Sequence, residues 1–210
     1  MGRCVKLKIV KVDSVNPDLE ILREAAEAIL RGCLVAYPTD TLYGLCTNPF
    51  SEDAVRRLFS AKRRSLGKGL PILVENLTAL KRIAYVNQVA AKLIEKFWPG
   101  ALTIIVDKRN VIPDIVTGGS SVAVRMPDSK ITLKLAGLCG GFLIGTSANI
   151  SGSIKQPDHV EVVVEELGDA VDLILDGGKT GGLPSTIVDV REGLIKVIRE
   201  GAIPSSILRV

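Results

Sequence analysis

The chain has 210 residues, enough for one large domain with a full core, although length alone leaves room for two small ones. Apolar residues make up 47% and charged residues 24%, as in an ordinary globular protein, and the 4% of aromatics argues against a base-stacking platform. The net charge of +4 suits a polyanion or a triphosphate, serves solubility equally well, and is far from a histone-like excess.

The N-terminal MGRCVKLKIVKV alternates charged and apolar residues like a strand, not like a signal peptide. Asn16-Pro17 opens a helix, with Asn as cap and Pro in the first turn. Leu19, Leu22, Ala26 and Ile29 recur at helical spacing, and Gly32 stops the run. A strand follows over 33–37, ended by Pro38, which has no N–H for a sheet ladder. Cys33, opening this apolar run, reads as a buried thiol. Ser51 starts a helix reaching about Ala61, and 70–74 is a strand. Asn87 caps a helix to about Phe97, closed by Trp98-Pro99-Gly100.

Strands over 102–106 and 122–124 flank a Gly/Ser turn, TGGSS. A helix over 129–136, a strand over 142–144 and a helix over 158–167 come next. Strands over 171–175, 186–190 and 194–198 read as a closing β-meander. Alternating strands and helices predict an α/β fold whose sheet mixes parallel and antiparallel neighbours. Gly177–Gly182 (GGKTGG) is too short for a domain linker and reads as a mobile loop. One domain over residues 1–210 is expected, with a short tail after Gly201.

The cysteines Cys4, Cys33, Cys46 and Cys139 form no C-x-x-C pair, so neither a zinc knuckle nor a redox pair is suggested. The single histidine, His159, excludes a multi-histidine metal cage and reads as a surface or capping residue. No apolar run approaches the roughly 20 residues of a membrane-spanning helix, so a cytoplasmic protein with no membrane contact is expected.

Chemistry in α/β proteins collects in loops after strands, and five segments stand out there. Thr39, Asp40, Thr41 and Tyr43, followed by Gly44, could hold a small polar ligand or simply form an Asp/Thr turn. Lys62-Arg63-Arg64 with Lys68-Gly69 ends a helix. These cations either complement the helix dipole or clamp phosphates and a carboxylate. Arg125 closes an apolar strand, where it faces an anionic ligand or pairs with Asp128 or another carboxylate. Ser147, Asn149 and Ser151 lie in GTSANISG, a hydroxyl-rich segment that suits an anion cradle or a plain turn, and it is neither a Walker A loop nor a G-x-G-x-x-G. Ser185 starts one strand and Arg199 ends the next, so a hairpin would bring them together; a surface Arg199–Glu200 pair is the other reading. Asp40 and Asp189 have no evident acidic partner, which argues against a carboxylate-pair hydrolase.

PTDTLYGL, K-x-R with KGLP, SVAVRMP, TSANISG, PSTIVD and IREG, in this order over residues 30–201, resemble the YrdC-like threonylcarbamoyl-AMP synthases. The resemblance implies a twisted mixed sheet with flanking helices around a deep, positively charged cavity. It implies condensation of L-threonine, bicarbonate and ATP, usually with Mg²⁺ and without protein metal ligands, to threonylcarbamoyl-AMP and pyrophosphate. A downstream transferase would pass the threonylcarbamoyl group to tRNA. Carried over, Thr39, Thr41 and Tyr43 contact threonine, Lys62 and Arg64 grip the triphosphate and the threonine carboxylate and form the catalytic pair, and Arg125 orients a substrate. Ser147, Asn149 and Ser151 line the phosphates, and Ser185 and Arg199 close the adenylate side. The GGKTGG loop would serve as a lid.

Two departures are expected to matter. Val74 stands in KGLPILV, where some members carry a histidine. Longer members also add a C-terminal domain, for which the sequence after Gly201 leaves no room. The competing function is an RNA-binding module, holding tRNA or double-stranded RNA in the basic cavity without catalysis. A carbamoyl-transfer domain of the hydrogenase-maturation type would bring zinc-finger cysteine motifs that are absent here.

Overall fold

The structure, a computed structural model, describes residues 7–209. Strand β1 (Lys8–Lys11) leads to helix α1 (Leu19–Leu30), which buries Leu22, Ala25, Ala26 and Ile29. The cap is Asp18, whose carboxylate accepts the Glu20 N–H at 2.8 Å, not Asn16. The Asn16 amide is instead bound to the Asp13 carboxylate, so Asn16-Pro17 belongs to the preceding turn. Strands β2 (Val35–Tyr37) and β3 (Gly44–Cys46) form a hairpin around the PTDT turn. The expected sequence pattern lacked β3, because three buried residues show no alternation. Gly44 lies opposite Tyr37, and a Cβ there would sit 2.6 Å from the Tyr37 ring.

Helix α2 (Glu52–Ala61) is capped by Ser51, as its sequence predicts. Strand β4 (Ile72–Val74) is followed by α3 (Leu77–Ile83), a short helix capped by Asn76 that periodicity did not reveal. Then come α4 (Gln88–Phe97), β5 (Leu102–Asp107), the single turn α5 (Asp114–Thr117), β6 (Ser121–Arg125), α6 (Lys130–Leu138) and β7 (Phe142–Ile144). The chain ends through β8 (Thr146–Ser147), α7 (Val160–Leu167), β9 (Leu173–Asp176), β10 (Thr186–Asp189) and β11 (Lys196–Arg199).

These strands build two mixed sheets, ordered β1-β9-β2-β3-β8 and β11-β10-β5-β6-β4-β7. The α/β expectation holds, but the closing meander does not. Strand β9 lies parallel to β1 and β2 in the first sheet, and β10 runs parallel to β5 in the second; of these last three strands only β10 and β11 pair as a hairpin. Pairing partners far away in sequence override the local order of strands. The chain crosses from the second sheet to the first at Gly145, where a Cβ would lie 2.6 Å from the Leu73 side chain. Tyr37 ties the sheets together by donating its hydroxyl to the Ile144 carbonyl at 2.6 Å. A single apolar cluster runs beneath both.

Cys33 is buried but disulfide-bonded, which corrects the free-thiol expectation. His159 precedes α7 without capping it, its Nδ1 lying 2.5 Å from Asp158 Oδ1. Among the described residues no helix is long and apolar enough to cross a membrane.

Candidate functional site

A cavity of about 510 Å³ lies between the two sheets. Its size falls in the range of small-molecule sites. The hairpin turn supplies Thr39, Thr41 and Tyr43, and the end of α2 supplies Lys62 and Arg64. Arg125 comes from β6, and Ser147, Asn149 and Ser151 from the loop through β8. Ser185 and Arg199 complete the lining from β10 and β11. The eleven residues carried over by the resemblance all line this one cavity, whereas Asp40, Arg63 and Lys68 from the same segments do not. Its lining, read among the described residues, contains four cations and no carboxylate.

The turn is held by its own hydroxyls. Thr39 Oγ1 accepts from the Thr41 and Leu42 amides at 3.0 and 3.2 Å and donates to the Leu42 carbonyl at 2.6 Å. Thr39 thus shapes the turn. Thr41 Oγ1 lies 3.0 Å from Thr39 Oγ1 and accepts from Arg125 Nη1 at 2.7 Å. Arg125 also donates from Nε to the Gly100 carbonyl at 2.8 Å and from Nη2 to Asp40 Oδ1 at 2.5 Å. Of the alternatives left open for Arg125, a carboxylate partner exists, and it is Asp40 rather than Asp128. Burial lowers the guanidinium's proton affinity, and Asp40 opposes that shift.

Tyr43 faces the glycine loop. Its hydroxyl donates to the Gly178 carbonyl at 2.7 Å and accepts from Gly177 N–H at 3.2 Å. Gly182 N–H reaches the Thr41 carbonyl at 2.8 Å, and Thr180 N–H the Asp158 carbonyl at 2.8 Å. In this structure the loop expected to be mobile is tied to the threonine-rich turn.

The basic segment is aimed by a helix terminus. Arg63 takes a left-handed conformation, φ 50°. Arg63 N–H bonds Ser60 O and Arg64 N–H bonds Phe59 O, both at 2.9 Å, which is the bonding of a Schellman end. An arginine here costs about 1–2 kcal/mol relative to glycine. The reversal leaves Arg63 exposed and turns Lys62 and Arg64 into the cavity. Lys62, only 2% exposed, donates to the Ser147 carbonyl and, at 2.6 Å, to the Asn149 carbonyl. Burial pushes its ammonium down to about 7, and Arg64 adds to the effect. Arg64 donates to the Lys68 and Gly69 carbonyls at 3.0 and 2.8 Å, closing the KGLP loop.

Ser147 Oγ lies 2.7 Å from Asn149 Oδ1, and Asn149 Nδ2 donates to the Lys155 carbonyl at 3.0 Å. Ser151 Oγ is buried with no hydrogen-bond partner. Arg199 donates to the Ser185 carbonyl at 2.6 Å, as the hairpin predicts, and this replaces the surface Arg199–Glu200 reading. Ser185 Oγ pairs with Thr103 Oγ1 at 2.8 Å. Burial lowers the Arg199 guanidinium, and Arg125 lowers it further.

Sequence reasoning missed Thr103 and Gln156, which also line the cavity. Thr103 had a signal, a hydroxyl inside the apolar run LTIIV; Gln156 had none. No three His, Cys, Asp or Glu converge among the described residues. Ammonium, guanidinium and hydroxyl donors suit anionic oxygens rather than a divalent cation. The cations also repel one another, so an anion bound among them relieves both desolvation and mutual repulsion.

Known proteins bear on this geometry. The family described as "Telomere recombination" (Sua5/YciO/YrdC) matches residues 27–201. The putative threonylcarbamoyl-AMP synthase of Methanocaldococcus jannaschii is 40% identical over 95% of this chain and 96% of its own length. The threonylcarbamoyl-AMP synthase of Pyrococcus abyssi is 40% identical over 87% of this chain, which spans 54% of that relative. The crystal structure of P. abyssi Sua5 complexed with L-threonine superposes with a TM-score of 0.89 at 38% identity, covering 95% of this chain and 59% of that one. On the matched span and on these identities, the chain belongs to the Sua5/YciO/YrdC family.

Proposed function

We propose that this chain condenses L-threonine, bicarbonate and ATP to threonylcarbamoyl-AMP and pyrophosphate, for threonylcarbamoyladenosine modification of tRNA. The observation that carries the reading is the cavity itself: four cations and a hydroxyl-rich loop, without a carboxylate among the described lining residues, beside a threonine-rich turn. Two relatives named for this synthase activity and a related structure holding L-threonine support it.

The chemistry needs alignment and charge neutralisation more than a protein nucleophile. Threonine's amine bonds to the bicarbonate carbon and water leaves, giving a carbamate. A carbamate oxygen then attacks the α-phosphorus, the bond to the bridging oxygen breaks, and pyrophosphate departs. Lys62 and Arg64 neutralise charge on the phosphates and on the threonine carboxylate. Ser147, Asn149 and Ser151 border the phosphates, and Ser185 and Arg199 close the adenylate end. Arg125 acts mainly through the turn that carries Thr41. The protein donors fit phosphate oxygens and not a bare cation, so Mg²⁺ enters as ATP's counter-ion. The same proposal takes residues 1–210 as one domain, since both sheets share one core. It places the reaction in the cytoplasm, with the product passing to a separate tRNA transferase.

The test is incubation with ATP, Mg²⁺, bicarbonate and each amino acid in turn. Pyrophosphate should appear only with threonine. Release that ignores threonine, with salt-dependent RNA binding instead, would overturn the reading.

A further inference from the structure

Glu166 does not line the cavity, yet it holds the loop that does. From α7, its Oε2 accepts the Ile150 N–H at 3.0 Å and its Oε1 accepts the Ser153 hydroxyl at 2.9 Å. Lys62 grips the same loop from the other side. Its ammonium donates to the Ser147 and Asn149 carbonyls, and its own carbonyl accepts Ser151 N–H at 2.9 Å. Residues 147–153 are thus strung between one ammonium and one carboxylate. The cavity-lining Ser151 hydroxyl between them is buried and unpartnered.

The partners of Lys62 in this loop are neutral carbonyls, and among the described residues no carboxylate forms an ion pair with it. Residues 145–153 contain no titratable side chain. One peptide unit links Glu166 to the ammonium: its carbonyl, that of Asn149, accepts from Lys62 Nζ at 2.6 Å, and its N–H, that of Ile150, donates to Glu166 Oε2 at 3.0 Å. Across that link Glu166 favours the charge on Lys62, while Arg64, from the same turn as Lys62, opposes it.

We propose that Glu166 is a positioning residue for the phosphate site: it fixes the backbone of residues 147–153 from the side opposite Lys62 and sets a carboxylate one peptide unit away from the Lys62 ammonium. The inference rests on reading the cavity as an ATP site, but its test separates the two.

Glu166→Gln keeps the shape and removes the charge; Glu166→Ala removes both charge and tethers. In the nucleotide-free full chain, the Lys62 midpoint is followed by NMR of ¹³Cε-labelled lysine, with Lys62→Arg giving the assignment. Glu166→Gln should lower the proton affinity of Lys62 about threefold or more, half a pH unit. In Glu166→Ala, amide exchange at Ile150 should also quicken about tenfold, with little change in Glu166→Gln. An unchanged Lys62 midpoint in Glu166→Gln overturns the proposal.

The ATP arm uses calorimetry at two pH values. At about pH 8 Glu166→Gln should bind ATP about threefold more weakly than wild type, and at about pH 6 equally well, because only protonated Lys62 pairs with phosphate. Equal weakening at both values means a purely structural role and also overturns the proposal. If wild type binds no ATP at either pH, the functional reading falls, while the Lys62 titration still decides the role of Glu166.

Discussion

The two walls of the cavity are built on opposite principles. In the wall made by the β2–β3 turn and the end of β6, Thr39, Thr41 and Arg125 spend their hydrogen bonds on one another, on Asp40 and on backbone. In the wall from the end of α2 and the loop through β8, a buried ammonium uses two of its three donors and a serine hydroxyl has no partner. The first wall is satisfied before any ligand arrives. The second stays electrostatically unsatisfied, and that unmet capacity is what an anion would fill.

Breaking the unsatisfied wall should cost the most activity. Lys62→Ala and Arg64→Ala should each lower threonine-dependent pyrophosphate release by about 10²–10³-fold, the cost of removing a preorganised donor from a charged transition state. Circular dichroism should show the fold retained. Near-normal turnover in either variant removes that residue from the site.

Breaking the satisfied wall should show first as instability. Arg125→Ala strands Asp40, whose side chain is 16% exposed beside an arginine that is 6% exposed. Removing one partner of such a buried pair costs about 3 kcal/mol. Denaturant unfolding should show that loss, and the threonine KM should rise as the Thr41 turn loosens. A stable Arg125→Ala variant with an unchanged threonine KM would erase the contrast between the walls.

The pH dependence sharpens it. Lys62 titrates near 7 when folded against an ordinary 10.5, so between those values the unfolded chain binds more protons than the folded one. Stability should therefore rise with pH across that window, by up to about 1.4 kcal/mol per pH unit from this group. Lys62→Met should flatten that component in denaturant melts taken from neutral to alkaline pH. An identical slope in both proteins would show that Lys62 is not desolvated as its surroundings require.

The smallest effect concerns the glycine loop. Tyr43→Phe removes its hydrogen bond to Gly178, a loss of about 1 kcal/mol. Amide exchange over residues 177–182 should quicken in the variant and slow in wild type when ATP and threonine bind. Exchange unaffected by ligands would end the lid reading.

Much of this was legible in the sequence because it is local. Apolar spacing marked α1, and Ser51 and Asn87 marked the starts of α2 and α4, since caps and periodicity act within a few residues. The hydroxyl, cation and glycine content of five loops marked the segments, and the resemblance picked from them eleven residues that line the cavity, while Thr103 and Gln156 escaped both. What the tertiary structure alone decided is non-local. Two short strands, β3 and β8, exist because neighbours pair with them, and β9 joined the first sheet instead of a meander. Asp40 became the partner of Arg125 because the hairpin turn of one sheet lies against the strand end of the other. Lys62 is driven toward neutrality by burial, and that burial comes from packing against a loop whose carbonyls lie 85 and 87 residues away. Composition sets which groups can act, but only chain packing sets which of them lose water and whom they face.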